Sequence, residues 1–190
     1  CWPAWASPST DPACMNAPRQ VRILVLRGGA LGDFIVTLPA LAALRGQWPD
    51  SYIEVLGYPH IAELARRGGL ADRVTSLHGA QVARFFSLRP DFPPEQIAFV
   101  RSFDLVVNYL HDPDDLVAGH LERIGARQVL RASPLVTSGH AVDHLLKPLE
   151  SLALYAAGSA PRLVLPEADL AAGRRLLAGC NTDPARAWVV

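Results

Sequence analysis

The chain has 190 residues, half of them apolar and 19% charged, a globular composition with enough length for one core, or one core and the start of a second. Eighteen basic and eighteen acidic residues cancel, which excludes a global positive field for holding nucleic acid. A local patch stays open, because arginine supplies nearly all the positive charge and Lys147 is the only lysine. Cys1, Cys14 and Cys180 are odd in number and widely spaced, which argues against a disulfide framework or zinc site and fits a reducing cytoplasm. No uninterrupted apolar run approaches the roughly 18 residues that span a bilayer.

Residues 1–20 read as a disordered or non-native extension, since Pro3, Pro8, Pro12 and Pro18 break any helix. Met15, the only methionine, is the expected natural start. Regular patterning begins at Val21. Val21–Leu26 is an apolar run of buried-strand type, and Leu31–Arg45 carries apolar residues at helical spacing, with Pro39 kinking it or marking where the regular helix begins. Tyr52–Leu56 is a strand, Ile61–Arg67 a helix ended by Gly68-Gly69, and Arg73–Leu77 a third strand. Ala80–Leu88 and Glu95–Arg101 are short helices around a proline-rich stretch. Phe103–Asn108 is a strand, Leu116–Ile124 a helix and Gln128–Arg131 a weak strand. Val142–Ala157 reads as one long amphipathic helix interrupted by Pro148. Leu163–Leu165 is extended, Glu167–Ala178 is the last helix, and Ala187–Val190 opens a strand, as though the chain were cut within it. Strands alternating with helices predict an α/β fold, a Rossmann-like parallel sheet covered on both faces. The expected division is 21–160 for this domain and 161–190 for a linker and the start of another.

The loop after the first strand, Arg27-Gly28-Gly29-Ala30-Leu31-Gly32-Asp33, is the sharpest local feature. Ligands bind at the carboxyl ends of strands in such sheets, and a helix N-terminus there favours an anion. A nicotinamide-type dinucleotide site fits poorly. The GxGxxG register needs glycine where Arg27 stands, and the acidic residue about twenty positions on, Glu54, falls inside a strand rather than at its end. Read locally, Asp33 is a good helix cap.

Arg22–Leu41 resembles the opening of family 9 glycosyltransferases, the heptosyltransferase family: a strand, an R-x-G-A-L-G-D loop and a helix with T-x-P-A-L, followed here by Trp48-Pro49-Asp50. Phe103–Asn108 is similar to the family's Y-D-L-V-I-D strand, with Asn108 where Asp is common. His140–Leu145 and Pro161–Pro166 resemble later family segments. The resemblance implies the N-terminal, acceptor-side half of a two-domain GT-B architecture. It implies an inverting sugar transfer with Asp33 as general base. Arg27, Gly28, Gly29, Leu31, Gly32, Thr37 and His140 are the implied substrate contacts, though Thr37 has the alternative of bonding back to its helix. The implied donor is a nucleotide sugar, ADP-heptose, and the implied acceptor a lipid-linked saccharide of lipopolysaccharide type. Neither cofactor, metal nor nucleic acid is expected. The expected place is the cytoplasm, with peripheral contact at the inner face of its membrane. The competing class is a truncated or degenerate domain that binds an acceptor without catalysis.

Other constellations have plainer readings. His140 and His144 share a helix face at i, i+4 with Asp143 between them, but no third metal ligand accompanies them. His111-Asp112-Pro113-Asp114-Asp115 reads as a helix N-terminus. Arg66, Arg67, Arg84 and Arg89 are candidates for a phosphorylated acceptor, with solvated surface arginines as the alternative.

Overall fold

A computed structural model describes residues 19–155 and 160–179. Its centre is a five-stranded parallel sheet of β1 (Arg22–Arg27), β2 (Tyr52–Gly57), β3 (Arg73–Ser76), β4 (Leu105–Asn108) and β5 (Val129–Arg131), in the order β3-β2-β1-β4-β5. All four ladders are parallel, as an α/β alternation requires, because parallel neighbours need a crossover between them. β1 lies in the middle. Its run Ile23–Leu26 is buried throughout, which explains why it is continuously apolar rather than alternating.

Alternate residues of β1 feed two cores. Ile23 and Val25 pack with α2 (Leu38–Gln47), α3 (Pro59–Arg67) and α7 (Ala141–Leu146). Leu24 and Leu26 pack on the other face with α5 (Pro94–Arg101), α6 (Leu116–Arg123) and the turn after α4 (Ala80–Ala83). Burial on both faces pins the register, since a one-residue slip would exchange the two sets.

Three expected elements differ. Leu31–Arg45 forms two helices, α1 (Leu31–Ile35) and α2, because Pro39 has no N–H to continue the first and sits well in the first turn of the second. Ala80–Leu88 is α4 followed by a 3-10 turn, Arg84–Phe86. The long helix expected over Val142–Ala157 ends as α7 at Leu146. Pro148 cannot donate within a helix interior, so a 3-10 segment follows over Lys147–Leu152 and closes at Ala153 in the left-handed region. The last helix, α8 (Glu167–Gly179), buries no side chain; Arg67 pairs with Asp169 on it. The extended piece expected at Leu163–Leu165 joins none of the five strands of the sheet. Met15, the three cysteines and the expected strand at Ala187–Val190 lie outside the described residues.

Candidate active site at the end of the central strand

β1 ends at Arg27, and the chain turns through Gly28 and Gly29 before α1 begins. Gly29 has φ +100°, a backbone conformation open to glycine at little cost. Space demands glycine there as well: a Cβ would lie 2.9 Å from Asp33 Oδ2. The turn is therefore tight because the Asp33 carboxyl folds back over it. The Ala30 N–H donates to Asp33 Oδ2 at 3.0 Å, one half of a capping box. Ala30 has no side-chain oxygen to complete the other half. Asp33 itself is exposed, and its Oδ1 carries no hydrogen bond among the described residues. The cap thus occupies one carboxyl oxygen and leaves the other open.

The main chain of Asp33 is held from below. The helix breaks after Ile35, and the Thr37 N–H bonds to the Phe34 carbonyl at 2.9 Å rather than to Asp33. The freed Asp33 carbonyl accepts from Arg27 Nη2 and from the Thr37 hydroxyl, each at 2.8 Å. Arg27 also donates, more weakly, to the Tyr109 carbonyl at 3.4 Å, and its Nε finds no hydrogen-bond partner among the described residues. Arg27 is 4% exposed and Thr37 is fully buried, so both reach Asp33 rather than the surface. Burial pulls the Arg27 guanidinium below its ordinary range, while Asp33 acts in the opposite sense. The geometry gives Arg27 and Thr37 the role of fixing where Asp33 stands.

The other expected contacts are more open. Leu31 is exposed, and nothing lies within 4 Å of where a Gly32 side chain would begin. A Cβ on Gly28 would meet Leu77 and Leu110 at 3.6 Å, with the Tyr58 hydroxyl at 3.9 Å. His140 is exposed at the start of α7, where its Nδ1 accepts from the Val142 N–H at 3.2 Å. His144 instead turns its Nε2 to the Ser133 carbonyl at 3.0 Å, so the two imidazoles serve separate loops. No motif marks Tyr58 or His78. They stand just beyond β2 and β3 with rings stacked 4.9 Å apart, where the strand-end rule alone would direct attention.

Asp112 caps α6, accepting from the Val117 and Ala118 N–H groups at 3.0 and 2.9 Å, as a helix-start reading of His111–Asp115 requires. Beside it a cleft of about 370 Å³ opens at the ends of β4 and β5, lined by Asn108, His111, Asp115 and Arg131. A larger, mostly apolar groove of about 590 Å³ lies between α2 and α3 under Arg162–Val164, and Asp33 lines neither. Glu54 is the third of six residues in β2, 2% exposed, accepting from the Tyr52 hydroxyl at 2.9 Å and the Thr75 hydroxyl at 2.5 Å. Already committed inside the sheet, it is poorly placed to hold a ribose. Among the described residues no helix is long and apolar enough to cross a membrane.

No protein-family model and no curated protein sequence matches the chain. Solved structures do. A family 9 glycosyl transferase from Veillonella parvula shares 18% identity at a TM-score of 0.58, over 88% of this chain and 53% of that one. The E. coli ADP-heptose lps heptosyltransferase II shares 14% identity at a TM-score of 0.51, over 87% of this chain and 52% of that one. The chain spans about half the length of the solved structures it matches. At these identities the likeness is one of fold: the chain folds as about half of a family 9 glycosyltransferase, the group that its Arg27–Asp33 loop resembles.

Proposed function

We propose that this chain is the acceptor-side half of an inverting sugar transferase, with Asp33 as the general base. One observation carries the reading. At the strand-end edge of a Rossmann-like sheet stands an exposed carboxyl with one oxygen anchored by Ala30 and the other open, on a main chain fastened by Arg27 and Thr37. Inversion in one displacement needs such a group. The acceptor hydroxyl attacks the anomeric carbon, its proton passes to Asp33 Oδ1, and the nucleoside diphosphate leaves from the opposite side with the bonding electrons. Gly28, Leu31, Gly32 and His140 would border the acceptor. The donor would be a nucleotide sugar held by a second domain, so no cofactor or metal enters this half of the site.

The E. coli protein of like fold is described as an ADP-heptose lps heptosyltransferase, which supports ADP-heptose as donor and a lipid-linked core saccharide as acceptor. Such an acceptor places the reaction at the cytoplasmic face of a membrane.

The test uses the natural polypeptide that carries these residues, supplied with ADP-heptose and a heptose-deficient core acceptor. Asp33→Asn retains an oxygen for the Ala30 N–H, so the fold should persist while kcat falls about 100- to 10,000-fold. An Asn variant with undiminished kcat would remove Asp33 as the base. Absence of transfer by the unaltered protein, with other nucleotide sugars also tried, would remove the reading itself.

A further inference from the structure

β2 and β3 run in parallel up to a last ladder bond, from the Leu77 N–H to the Gly57 carbonyl at 2.9 Å. The residues that follow are Tyr58 and His78. Neighbouring strands lie about 4.8 Å apart. The two rings keep nearly that spacing, stacked with 4.9 Å between centroids and 21° between planes. The His60 ring is also close to parallel with Tyr58, at 6.2 Å and 15°. The backbone under His78 is held, since its N–H donates to the Ser76 hydroxyl at 3.0 Å.

A purely structural purpose explains this stack poorly. Tyr58 stands at the N-cap of α3, yet its side chain caps nothing. Serine, threonine, aspartate or asparagine would serve the helix better there. The three rings belong to neither core: Tyr58 is partly buried, and His60 and His78 are exposed. Their polar atoms are uncommitted as well. His120, His140 and His144 each use a ring nitrogen in a hydrogen bond. The Tyr58 hydroxyl and the ring nitrogens of His60 and His78 have no hydrogen-bond partner among the described residues.

The stack borders the loop that carries Asp33. A Cβ on Gly28 would lie 3.9 Å from the Tyr58 hydroxyl and 3.6 Å from Leu77, the residue before His78. A Cβ on Gly29 would lie 2.9 Å from Asp33 Oδ2. The Tyr58 hydroxyl and the Asp33 carboxyl thus approach consecutive residues of one turn. α1, which carries Asp33, also packs against α3, which begins just after Tyr58.

The face of a π system is negative, and its complement is a surface of weakly positive C–H bonds. A pyranose has such a surface on one face of its ring and hydroxyls around its rim. An acyl chain could cover the rings but would leave the polar atoms beside them unpaired. A nucleobase could also stack, but in the proposed reaction the donor nucleotide belongs to the second domain. We infer that the Tyr58–His78 stack is a sugar subsite: one ring of the acceptor saccharide lies on the His78 imidazole, and its hydroxyls bond the free polar atoms around the stack. That this sugar is part of the acceptor rests on the sugar-transfer reading; that the stack takes a sugar rests on its own rings.

Two measurements test the inference, the first without any transfer. Deacylated heptose-deficient core saccharide is titrated calorimetrically into the natural polypeptide with no donor present. The parent should bind it, His78→Ala about tenfold more weakly, and His78→Phe, which keeps a π face, within about twofold of the parent. Denaturation midpoints should hold in both variants, because His78 is exposed. In transfer assays, His78→Ala should raise the acceptor KM about tenfold with kcat little changed, the mark of a lost binding contact. Binding that depends on His78 in a protein that transfers no sugar would uphold the subsite and remove the transfer reading. Transfer with an acceptor KM indifferent to His78→Ala would do the reverse. No binding by the parent, unweakened binding by His78→Ala, a His78→Phe variant as weak as His78→Ala, or displacement of the saccharide by adenosine would each overturn the inference.

Discussion

At the scale of single residues, the glycine loop is shaped by what it must leave room for. Gly29 combines φ +100° with a virtual contact of 2.9 Å to Asp33 Oδ2, so two independent constraints fall on one position. Gly29→Ala should cost about 1–2 kcal/mol from the left-handed backbone, with more if the carboxyl cannot move aside. Urea denaturation measures the cost. A variant as stable as the parent would show that the loop relaxes freely. Asn108 illustrates how a departure from a family pattern acquires a reason. Its amide nitrogen donates to Asp112 Oδ2 at 3.3 Å, while its oxygen accepts from the Leu110 N–H at 3.2 Å. An Asp there would offer no donor and would set a second carboxylate against Asp112.

At the scale of elements, the pairing of β2 with edge strand β3 is reinforced on one face by Glu54. It gathers hydroxyls from Tyr52 on its own strand and Thr75 on the next, with Arg73 Nε 3.9 Å away. Glu54→Gln keeps an acceptor for those hydroxyls and should cost about 1 kcal/mol, whereas Glu54→Ala strands both and leaves a gap, for about 3 kcal/mol. Denaturant midpoints of the two variants check the ordering, and an Ala variant as stable as the Gln variant would contradict it. The breaks in the helices belong to this scale too. Pro39 stands in the first turn of α2 and Pro148 ends the run of α7, and at the break before α2 the Thr37 N–H turns to the Phe34 carbonyl, which leaves the Asp33 carbonyl to the Arg27 guanidinium and the Thr37 hydroxyl.

For the whole molecule, two phenols couple folding to alkaline pH. Burial raises the Tyr109 hydroxyl well above the ordinary phenol range, with Arg27 opposing, and that hydroxyl donates to the Leu145 carbonyl at 2.7 Å. Burial, and after it the Glu54 carboxyl, raises Tyr52. Both groups prefer the neutral form in the folded chain and ionise more readily when unfolded. Their contribution is present in full below the unfolded value near pH 10 and is lost as pH climbs toward the raised folded values. The denaturation midpoint should fall above about pH 10 and fall less steeply in Tyr109→Phe. An equal slope in that variant would assign the loss elsewhere.

Much of the architecture is legible in the sequence. Continuous apolar runs such as Ile23–Leu26 mean burial on both faces, and their alternation with helical spacing leaves a parallel sheet as the natural outcome. The loop Arg27–Asp33 announces itself by composition, as does the poor dinucleotide register. What only the tertiary structure decides is how each residue is used. Sequence spacing places Arg27, Thr37 and Asp33 near one another but does not say which are buried. The fold puts Arg27 and Thr37 beneath Asp33, divides the two oxygens of its carboxyl between a cap and open space, and buries Phe85 while leaving its neighbour Phe86 half exposed. Local pattern reports the period of an element. Burial, and with it the distinction between a residue that positions and one that meets a ligand, depends on which elements pack against it, and those come from distant parts of the chain.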